Sequence, residues 1–297
     1  MAFDAIETPY GKTGKIVGGS ASFIALAAAK QYKKLGLVAV VGEDFDMDFL
    51  DNLKKQGTDV SGVQVKEGEK SFFWSGKYHL DMNSRDTLVT ELNVLGDFDP
   101  IIPEHLNEPE FVMLGNLAPA VQITTLKRLK KKPKLTVLDT MNFWMDIAMD
   151  DLKEVLTMVD VLTINDEEAR QLSGEYSLVK AAEKIRNMGP QTLIIKKGEH
   201  GALLFGKKDE IFFCPALPLE EVFDPTGAGD SFAGGFLGYM AAHNANDFET
   251  MKKAIVFGSA TASFCVEKFG TERIAEITQE DLNQRVQKFV ALSAVNL

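Results

Sequence analysis

The 297-residue sequence has few cysteines, few histidines and no long apolar run. Its two cysteines, Cys214 and Cys265, each lie in an apolar stretch, which is typical of buried free thiols in a reducing compartment. The four histidines share no metal-ligand spacing. No apolar run approaches the ~18 residues of a membrane span, and no basic segment precedes an apolar one at the N-terminus. We therefore expect a cytoplasmic protein without a membrane partner.

Positive charge is also in short supply. Lys and Arg number 32 against 43 Asp and Glu, the formal net charge is -11, and no basic stripe concentrates the cations. This balance would repel a phosphodiester backbone, which excludes nucleic acid as an expected partner. The hydrophobic content of 45% is ample for the core of one globular domain spanning 1–297.

Short apolar runs bounded by Gly, Asn or Asp alternate with stretches of helical character. The apolar runs predict buried strands at 37–42, 111–116, 135–140, 159–165 and 192–198. The stretches between them predict helices, among them 20–35, 120–131 and 176–188. The alternation indicates an α/β fold with a doubly wound, mostly parallel central sheet flanked by helices. Because ligands bind beyond the carboxyl ends of such strands, the residues after each strand are the candidates for a site.

Segment 63–80 interrupts this alternation. It reads like antiparallel strands around a turn at Gly68 and has no following helix, which predicts a small β appendage. Further along, 201–207 and 210–216 predict an antiparallel hairpin, and the chain is expected to be helical from Ala228 onward.

The stretch most informative about chemistry is 224–235, DPTGAGDSFAGG, which leads into a long apolar helix. Gly227, Ala228 and Gly229 place small residues where the helix begins, so its free N–H groups and dipole can meet an anion closely. Asp230 then enters the first turn, where a carboxylate can accept a proton from an attacking alcohol. The alternative is an ordinary helix start, in which Asp230 only complements the helix dipole.

With its flanks, this stretch resembles the second signature of the ribokinase/PfkB family of carbohydrate kinases, D-T-x-G-A-G-D-x-F, with Pro225 in place of the usual Thr. The resemblance implies a ribokinase-like fold and a kinase that uses ATP and Mg²⁺. It also implies that Asp230 is the catalytic base and that 227–229 form the anion hole. Asp224 and Thr226 match positions that, in several members of the family, help to bind a monovalent cation such as K⁺.

The resemblance extends to the N-terminal region. Gly18 and Gly19 resemble the first family signature, in which a backbone without Cβ atoms lets a sugar approach closely. Asp4 matches the family Asp that ends the first strand and holds substrate hydroxyls. Phe23 stands where an Asn that binds a sugar hydroxyl is often found. The apolar strand usual before Asp4 is missing from the sequence, either because the start was assigned downstream or because the sheet tolerates its loss.

The resemblance also implies a nucleotide site. Asn165 and Glu168 fit the family motif N-x-x-E, whose Glu organises water around Mg²⁺, although on their own they predict an ordinary helix cap. The DTMN stretch at 139–142 follows another strand and implies a substrate contact from Asn142. Other residues matching positions near the nucleotide are Lys197, Gly198, Gly201, Gly258 and Gly270.

The β appendage corresponds to the family's lid, expected here from about 5–17 and 62–92, which covers the sugar and keeps water away. Trp74, Asn83 and Arg85 are the lid residues expected to face the substrate. Tyr78, four residues after Trp74, would share its face of a strand. The same aromatic residues suit a homodimer contact through paired lids equally well.

Other phosphate-binding motifs are excluded by their missing glycines. GKTGK at 11–15 lacks the first Gly of a P-loop, and GAGDSF lacks the last Gly of a dinucleotide fingerprint. The sequence therefore predicts a kinase that phosphorylates a hydroxyl of a sugar or sugar-like molecule. A nucleoside kinase and a non-catalytic nucleotide- or sugar-binding relative are the alternatives.

Overall fold

The computed structural model describes residues 1–292 and 294. The strands of this part of the chain are β1 (Ala2–Thr8), β2 (Gly11–Lys12), β3 (Ile16–Gly18), β4 (Leu35–Gly42), β5 (Thr58–Lys66), β6 (Phe72–Tyr78), β7 (Arg85–Glu91), β8 (Phe111–Leu114), β9 (Leu135–Asp139), β10 (Val161–Asn165), β11 (Thr192–Lys196), β12 (Ala202–Phe205) and β13 (Ile211–Cys214). Its α-helices are α1 (Ser20–Ala29), α2 (Met47–Lys55), α3 (Pro119–Arg128), α4 (Asn142–Ile147), α5 (Met149–Leu156), α6 (Asp166–Ser173), α7 (Leu178–Arg186), α8 (Ala228–Ala242), α9 (Phe248–Cys265), α10 (Glu272–Glu276) and α11 (Gln279–Leu292).

The larger sheet has six strands in the order β13-β12-β11-β10-β9-β8. Strands β8 to β11 are parallel, whereas β12 and β13 form the expected antiparallel hairpin at one edge. Successive strand residues face opposite layers, because side chains alternate across a strand. Val137 and Ile194 pack against α8, α9 and α11, while Leu138 and Ile195 pack against helices of the α3 to α7 layer. The predicted α/β class with helices on both faces is thus confirmed.

A second, two-stranded parallel sheet pairs β4 with β5. Helices α1 and α2 cover it, with Phe23, Leu26 and Leu53 among the buried side chains of its core. Within the described residues, β4 and β8 each pair with one strand only, so the β4–β5 pair forms a sheet separate from the six-stranded one. The two nevertheless share packing, since Val40 of β4 clusters with residues that follow β8.

The lid is a separate sheet of order β2-β1-β6-β7, with β3 also paired to β1. Strand β1 lies parallel to β6, and Asp4 is the Cα partner of Trp74. Asp4 is therefore the third residue of its own strand, which corrects its expected place at the end of a strand. The lid differs in extent from the expected 5–17 and 62–92, because 62–66 belongs to β5.

The expected hairpin around Gly68 does not form. Strand β5 alternates in burial and follows a helix, so it pairs in parallel with β4 instead of antiparallel with β6. The segment after it is tied to the end of β4, where the Glu43 N–H donates to the Glu69 carbonyl over 3.0 Å. The antiparallel hairpin of the lid is β6–β7. None of the helices described here is both long and apolar enough to cross a membrane.

Candidate active site

The stretch that the sequence singles out begins helix α8, whose N-cap is Gly227. Gly227 has a φ of 75°, in the left-handed region that favours glycine, and a Cβ here would lie 2.4 Å from the buried Phe23 ring. Gly229 has an ordinary φ, but its Cβ would lie 2.9 Å from Lys196 Nζ. Both glycines are required by close approach, one to a ring and the other to an ammonium group.

The amides of this helix start are not equivalent. Ala228 donates its N–H to the Pro225 carbonyl over 3.2 Å, so it is already used within the turn. The amides of Gly227 and Gly229 have no such partner within the described residues. Free N–H groups at a helix N-terminus attract anions. The predicted cradle therefore has two open donors rather than three.

Asp230 lies in the first turn of α8, beside this cradle. Its Oδ1 is buried and has no hydrogen-bond partner within the described residues. Burial, and next the nearby Asp139 carboxylate, raise the pKa of Asp230 to about 7, although the Ser20 hydroxyl, Lys196 and Arg85 oppose the shift. A buried carboxylate with a free acceptor and a pKa near neutrality is suited to accept a proton from an alcohol.

Lys196 and Asp139 complete this part of the site; the sequence analysis pointed to Asp139 only as the start of the DTMN stretch, and it missed Lys196. Each is the last residue of its strand, β11 and β9, and Lys196 Nζ lies 3.1 Å from Asp139 Oδ1. Burial lowers the pKa of Lys196, but Asp139, Glu168 and Asp230 outweigh it and leave the pKa above its ordinary value. The lysine is therefore a buried, charged ammonium group close to the cradle.

Asn165 and Glu168 form the expected helix cap at the start of α6. The Asn165 N–H donates to Glu168 Oε2 over 2.7 Å, and the Glu168 N–H donates to Asn165 Oδ1 over 2.8 Å. Burial raises the pKa of Glu168 to about 7, with Lys196 lowering it and Asp139 raising it. The cap thus holds a carboxylate within the electrostatic reach of the Lys196–Asp139 pair.

Asp224, fully buried, braces the turn before α8. Its two oxygens accept hydrogen bonds from the amides of Thr226 and Gly270, both over 2.8 Å. Gly270, expected near the nucleotide, instead anchors Asp224, and its φ of 58° suits the glycine. Within the described residues no three His, Cys, Asp or Glu side chains group as metal ligands. A role for Asp224 in monovalent cation binding stays a prediction.

The glycine pair near the N-terminus accommodates Asp4. A Cβ on Gly18 would lie 1.8 Å from Asp4 Oδ2, and the Gly19 amide donates to the same oxygen over 3.3 Å. Burial, opposed by the Gly19 hydrogen bond and assisted by the carboxylates of Asp224 and Asp230, raises the pKa of Asp4 to about 7. The close approach inferred for this pair is thus made by a carboxylate that lies near the catalytic turn.

The inner face of the lid presents Trp74, Tyr78 and Arg85. The Arg85 guanidinium lies 5.8 Å from the Trp74 ring, and Arg85 is the Cα partner of Tyr78 across the β6–β7 ladder. Tyr78 is 5% exposed, and its hydroxyl accepts a hydrogen bond of 3.1 Å from Thr226 Oγ1. Tyr78 therefore joins the lid to the catalytic turn, while Trp74 and Arg85 remain available to a substrate.

The tip of the lid lies over the turn between β11 and β12. Asn83, expected at the acceptor, has its Oδ1 only 3.3 Å from where a Cβ on Gly198 would be. Gly198 and Gly201 have φ values of 55° and 84°, and the Lys197 amide donates to the Gly201 carbonyl over 2.8 Å. Asn83 is thereby placed beside the predicted nucleotide loop, and its expected contact with the acceptor stays a prediction.

Asn142 and Gly258 each make a packing contact within the fold. Asn142 begins α4, and its amide donates to Gln171 Oε1 over 2.6 Å, so this side chain serves a contact between helices. Gly258 lies buried within α9, where a Cβ would come 2.7 Å from the Phe232 carbonyl. This glycine allows α8 and α9 to pack closely. The roles expected for Asn142 at the substrate and for Gly258 at the nucleotide stay predictions.

These residues fit a phosphate-bearing substrate and its magnesium ion. The Cβ-free cradle and the ammonium group of Lys196 suit phosphate oxygens. Carboxylates such as Glu168 suit the waters that Mg²⁺ usually retains. With the buried, unpartnered Oδ1 of Asp230 beside the cradle, the fold and the site define a phosphotransferase of the α/β class.

A sequence profile of the pfkB family of carbohydrate kinases matches residues 7–278. The chain belongs to this family, and it is therefore a kinase. It is 34% identical to the cytidine kinase of Thermococcus kodakarensis over 80% of this chain and 84% of that protein. It is 28% identical to the 2-dehydro-3-deoxygluconokinase of Thermoproteus tenax over 82% and 80% of the two chains.

A solved structure shares the fold. A ribokinase II candidate from Escherichia coli, crystallised with ATP and Mg²⁺, aligns with a TM-score of 0.74 over 96% of each chain at 18% sequence identity. The expected ribokinase-like architecture is thereby confirmed.

Proposed function

We propose that this chain phosphorylates the hydroxymethyl group of a nucleoside, using ATP and Mg²⁺, with Asp230 as the base. The observation that carries the proposal is the buried Oδ1 of Asp230, which has no partner among the described residues and lies beside the open amides of Gly227 and Gly229. An alcohol bound there would donate its O–H to Asp230 while its oxygen faces the phosphate cradle.

The reaction follows from this arrangement. The acceptor oxygen forms a bond to the γ-phosphorus, its proton passes to Asp230, the bond from phosphorus to the bridging oxygen breaks, and ADP leaves. The Gly227 and Gly229 amides would stabilise the negative charge on the transferred group. When bound, Mg²⁺ would neutralise negative charge on the phosphates, and Glu168 would hold the ion through water.

Two features favour a nucleoside over a simple sugar. Asp4 and Trp74 are neighbours across the β1–β6 ladder, which would place a carboxylate for ribose hydroxyls next to a ring able to stack on a base. Phe23 is 1% exposed and packs beneath Gly227, and its ring has no group that could bind a sugar hydroxyl. The likeness to a cytidine kinase supports the same class of acceptor. The likeness to a 2-dehydro-3-deoxygluconokinase makes sugar acids the second candidate.

The test is ADP release with Mg²⁺ and ATP across cytidine, uridine, adenosine, inosine, ribose and 2-dehydro-3-deoxygluconate, with the product identified by mass spectrometry. Parallel reactions with and without K⁺ would test the monovalent cation expected near Asp224. We expect the highest kcat/KM with a nucleoside. Phosphorylation of the sugar acid alone would replace the nucleoside assignment, and no product from any acceptor would contradict the kinase proposal.

A further inference from the structure

Lys196 lies where the cradle meets the end of the sheet. It ends β11, its side chain is 17% exposed, and its Nζ lies 3.1 Å from Asp139 Oδ1. The same Nζ lies 2.9 Å from the position that a Cβ on Gly229 would occupy. The ammonium group is therefore held between a carboxylate on β9 and the first turn of α8.

The salt bridge alone does not account for this position. A helix N-terminus carries partial positive charge and disfavours a cation, so placing an ammonium group there costs free energy unless an anion lies between them. Lys196 has three N–H donors, and within the described residues Nζ donates only to Asp139. The remaining donors and the free Gly229 amide are thus available to one oxyanion.

We propose that Lys196 contacts the γ-phosphoryl group both in bound ATP and during its transfer, and that Asp139 positions Lys196 for this contact. The inference rests on the proposed function, because it requires a phosphoryl group in the cradle. No proton moves to or from Lys196. Its ammonium group stabilises negative charge on the phosphoryl oxygens together with the Gly227 and Gly229 amides, as a preorganised charge at a transition state does.

The competing explanation is that Lys196 only neutralises the buried acids Asp139 and Glu168. The two explanations predict different activities for a variant that lacks both the Lys196 and the Asp139 charge. If Lys196 is a counter-ion, removing Asp139 with it restores the charge balance and with it the activity. If Lys196 contacts the phosphoryl group, the activity stays lost even when the fold is restored.

The experiment compares Lys196→Met, Asp139→Asn and the double variant with the wild type, by calorimetric binding of Mg²⁺·ATP and Mg²⁺·ADP, kcat and urea unfolding. Lys180→Met, on the exposed face of α7, is the control for loss of one lysine. We expect Lys196→Met to lower kcat ~10²–10³-fold, as loss of one preorganised donor does. We expect it to weaken ATP binding about tenfold, which is equivalent to ~1.4 kcal/mol. ADP binding should weaken less than twofold, because only ATP carries the γ-phosphate.

The double variant keeps the test decisive even if Lys196→Met fails to fold. A folded double variant with the same loss of kcat and of ATP preference supports the proposal. Recovery of kcat to within about threefold of the wild type would overturn it, as would an unchanged ATP preference in Lys196→Met. Failure of the proposed function looks different, because the wild type itself would then phosphorylate no acceptor.

Discussion

Replacing Asp230 with Asn should make the protein more stable and nearly inactive. The change keeps the shape of the side chain but removes a charge that the buried site disfavours. Burial and Asp139 raise the pKa of Asp230 from 3.8 to about 7. At ~1.4 kcal/mol per pKa unit, this shift corresponds to roughly 4 kcal/mol against the ionised form. We expect a gain of about 1–3 kcal/mol in the free energy of unfolding, since the amide also needs partners.

The sign of the effect depends on pH. A carboxyl group with a raised pKa in the folded state contributes its stability below the unfolded pKa, near 3.8, and loses it as the pH rises through about 7. The Asn variant has no such group. Its advantage over the wild type should therefore be present at about pH 8 and vanish near pH 4. The pKa values of Asp4 and Glu168 are also raised to about 7, so the variant should retain part of the wild-type pH dependence.

Urea unfolding at both pH values measures the stability, and ADP release with a proven acceptor measures the rate. We expect kcat to fall ~10²–10⁴-fold, the usual contribution of a positioned base. Asp48→Asn, an exposed first-turn Asp of α2, is the control and should change neither quantity. A fall in kcat of less than about tenfold would show that Asp230 is not the base. A variant that is less stable than the wild type at about pH 8 would contradict the electrostatic argument.

Other predictions concern the cradle and the lid. Gly227→Ala should lower the free energy of unfolding by at least ~1–2 kcal/mol, because Gly227 has a positive φ and lies against the Phe23 ring. Gly229→Ala should stay folded but lower kcat, because the added Cβ displaces Lys196. Thermal unfolding and kcat, measured on both variants, distinguish the two effects. Tyr78→Phe should raise ATP hydrolysis without acceptor, because it removes the hydrogen bond to Thr226; an unchanged hydrolysis rate would reject the lid contact. Trp74→Ala should raise the acceptor KM, whereas an unchanged KM with a halved solution mass by light scattering would assign Trp74 to a homodimer of lids.

The sequence predicted β9, β10 and β11 because their apolar runs are buried on both faces. It misplaced 62–66 because an alternating strand looks the same whether it pairs with β4 or with the lid. Pairing depends on contacts distant in the sequence, which periodicity does not encode. Asp230 and its cradle were predictable, since all of their parts lie within one short stretch.

The facing of Lys196 and Asp139 was predictable from strand periodicity, because side chains alternate between the two faces of a strand. Lys196 lies two residues after Ile194, and Asp139 two after Val137, and both of these apolar residues face the layer that contains α8. The polar residues that end these strands therefore point toward the start of α8. The sequence analysis instead selected Lys197 and Asn142, which follow the ends of these strands and no longer belong to that face of the sheet.

The charge balance of the site explains how Asp230 can act as a base at neutral pH. Acids outnumber cations there, since Asp139, Glu168 and Asp230 surround Lys196. Burial, and next the repulsion of Asp139, raise the pKa values of Glu168 and Asp230 to about 7. A divalent cation held beside Glu168 would lower both pKa values, because an opposite charge favours the ionised form. The cation would therefore favour an ionised Asp230, which could accept the proton of the acceptor.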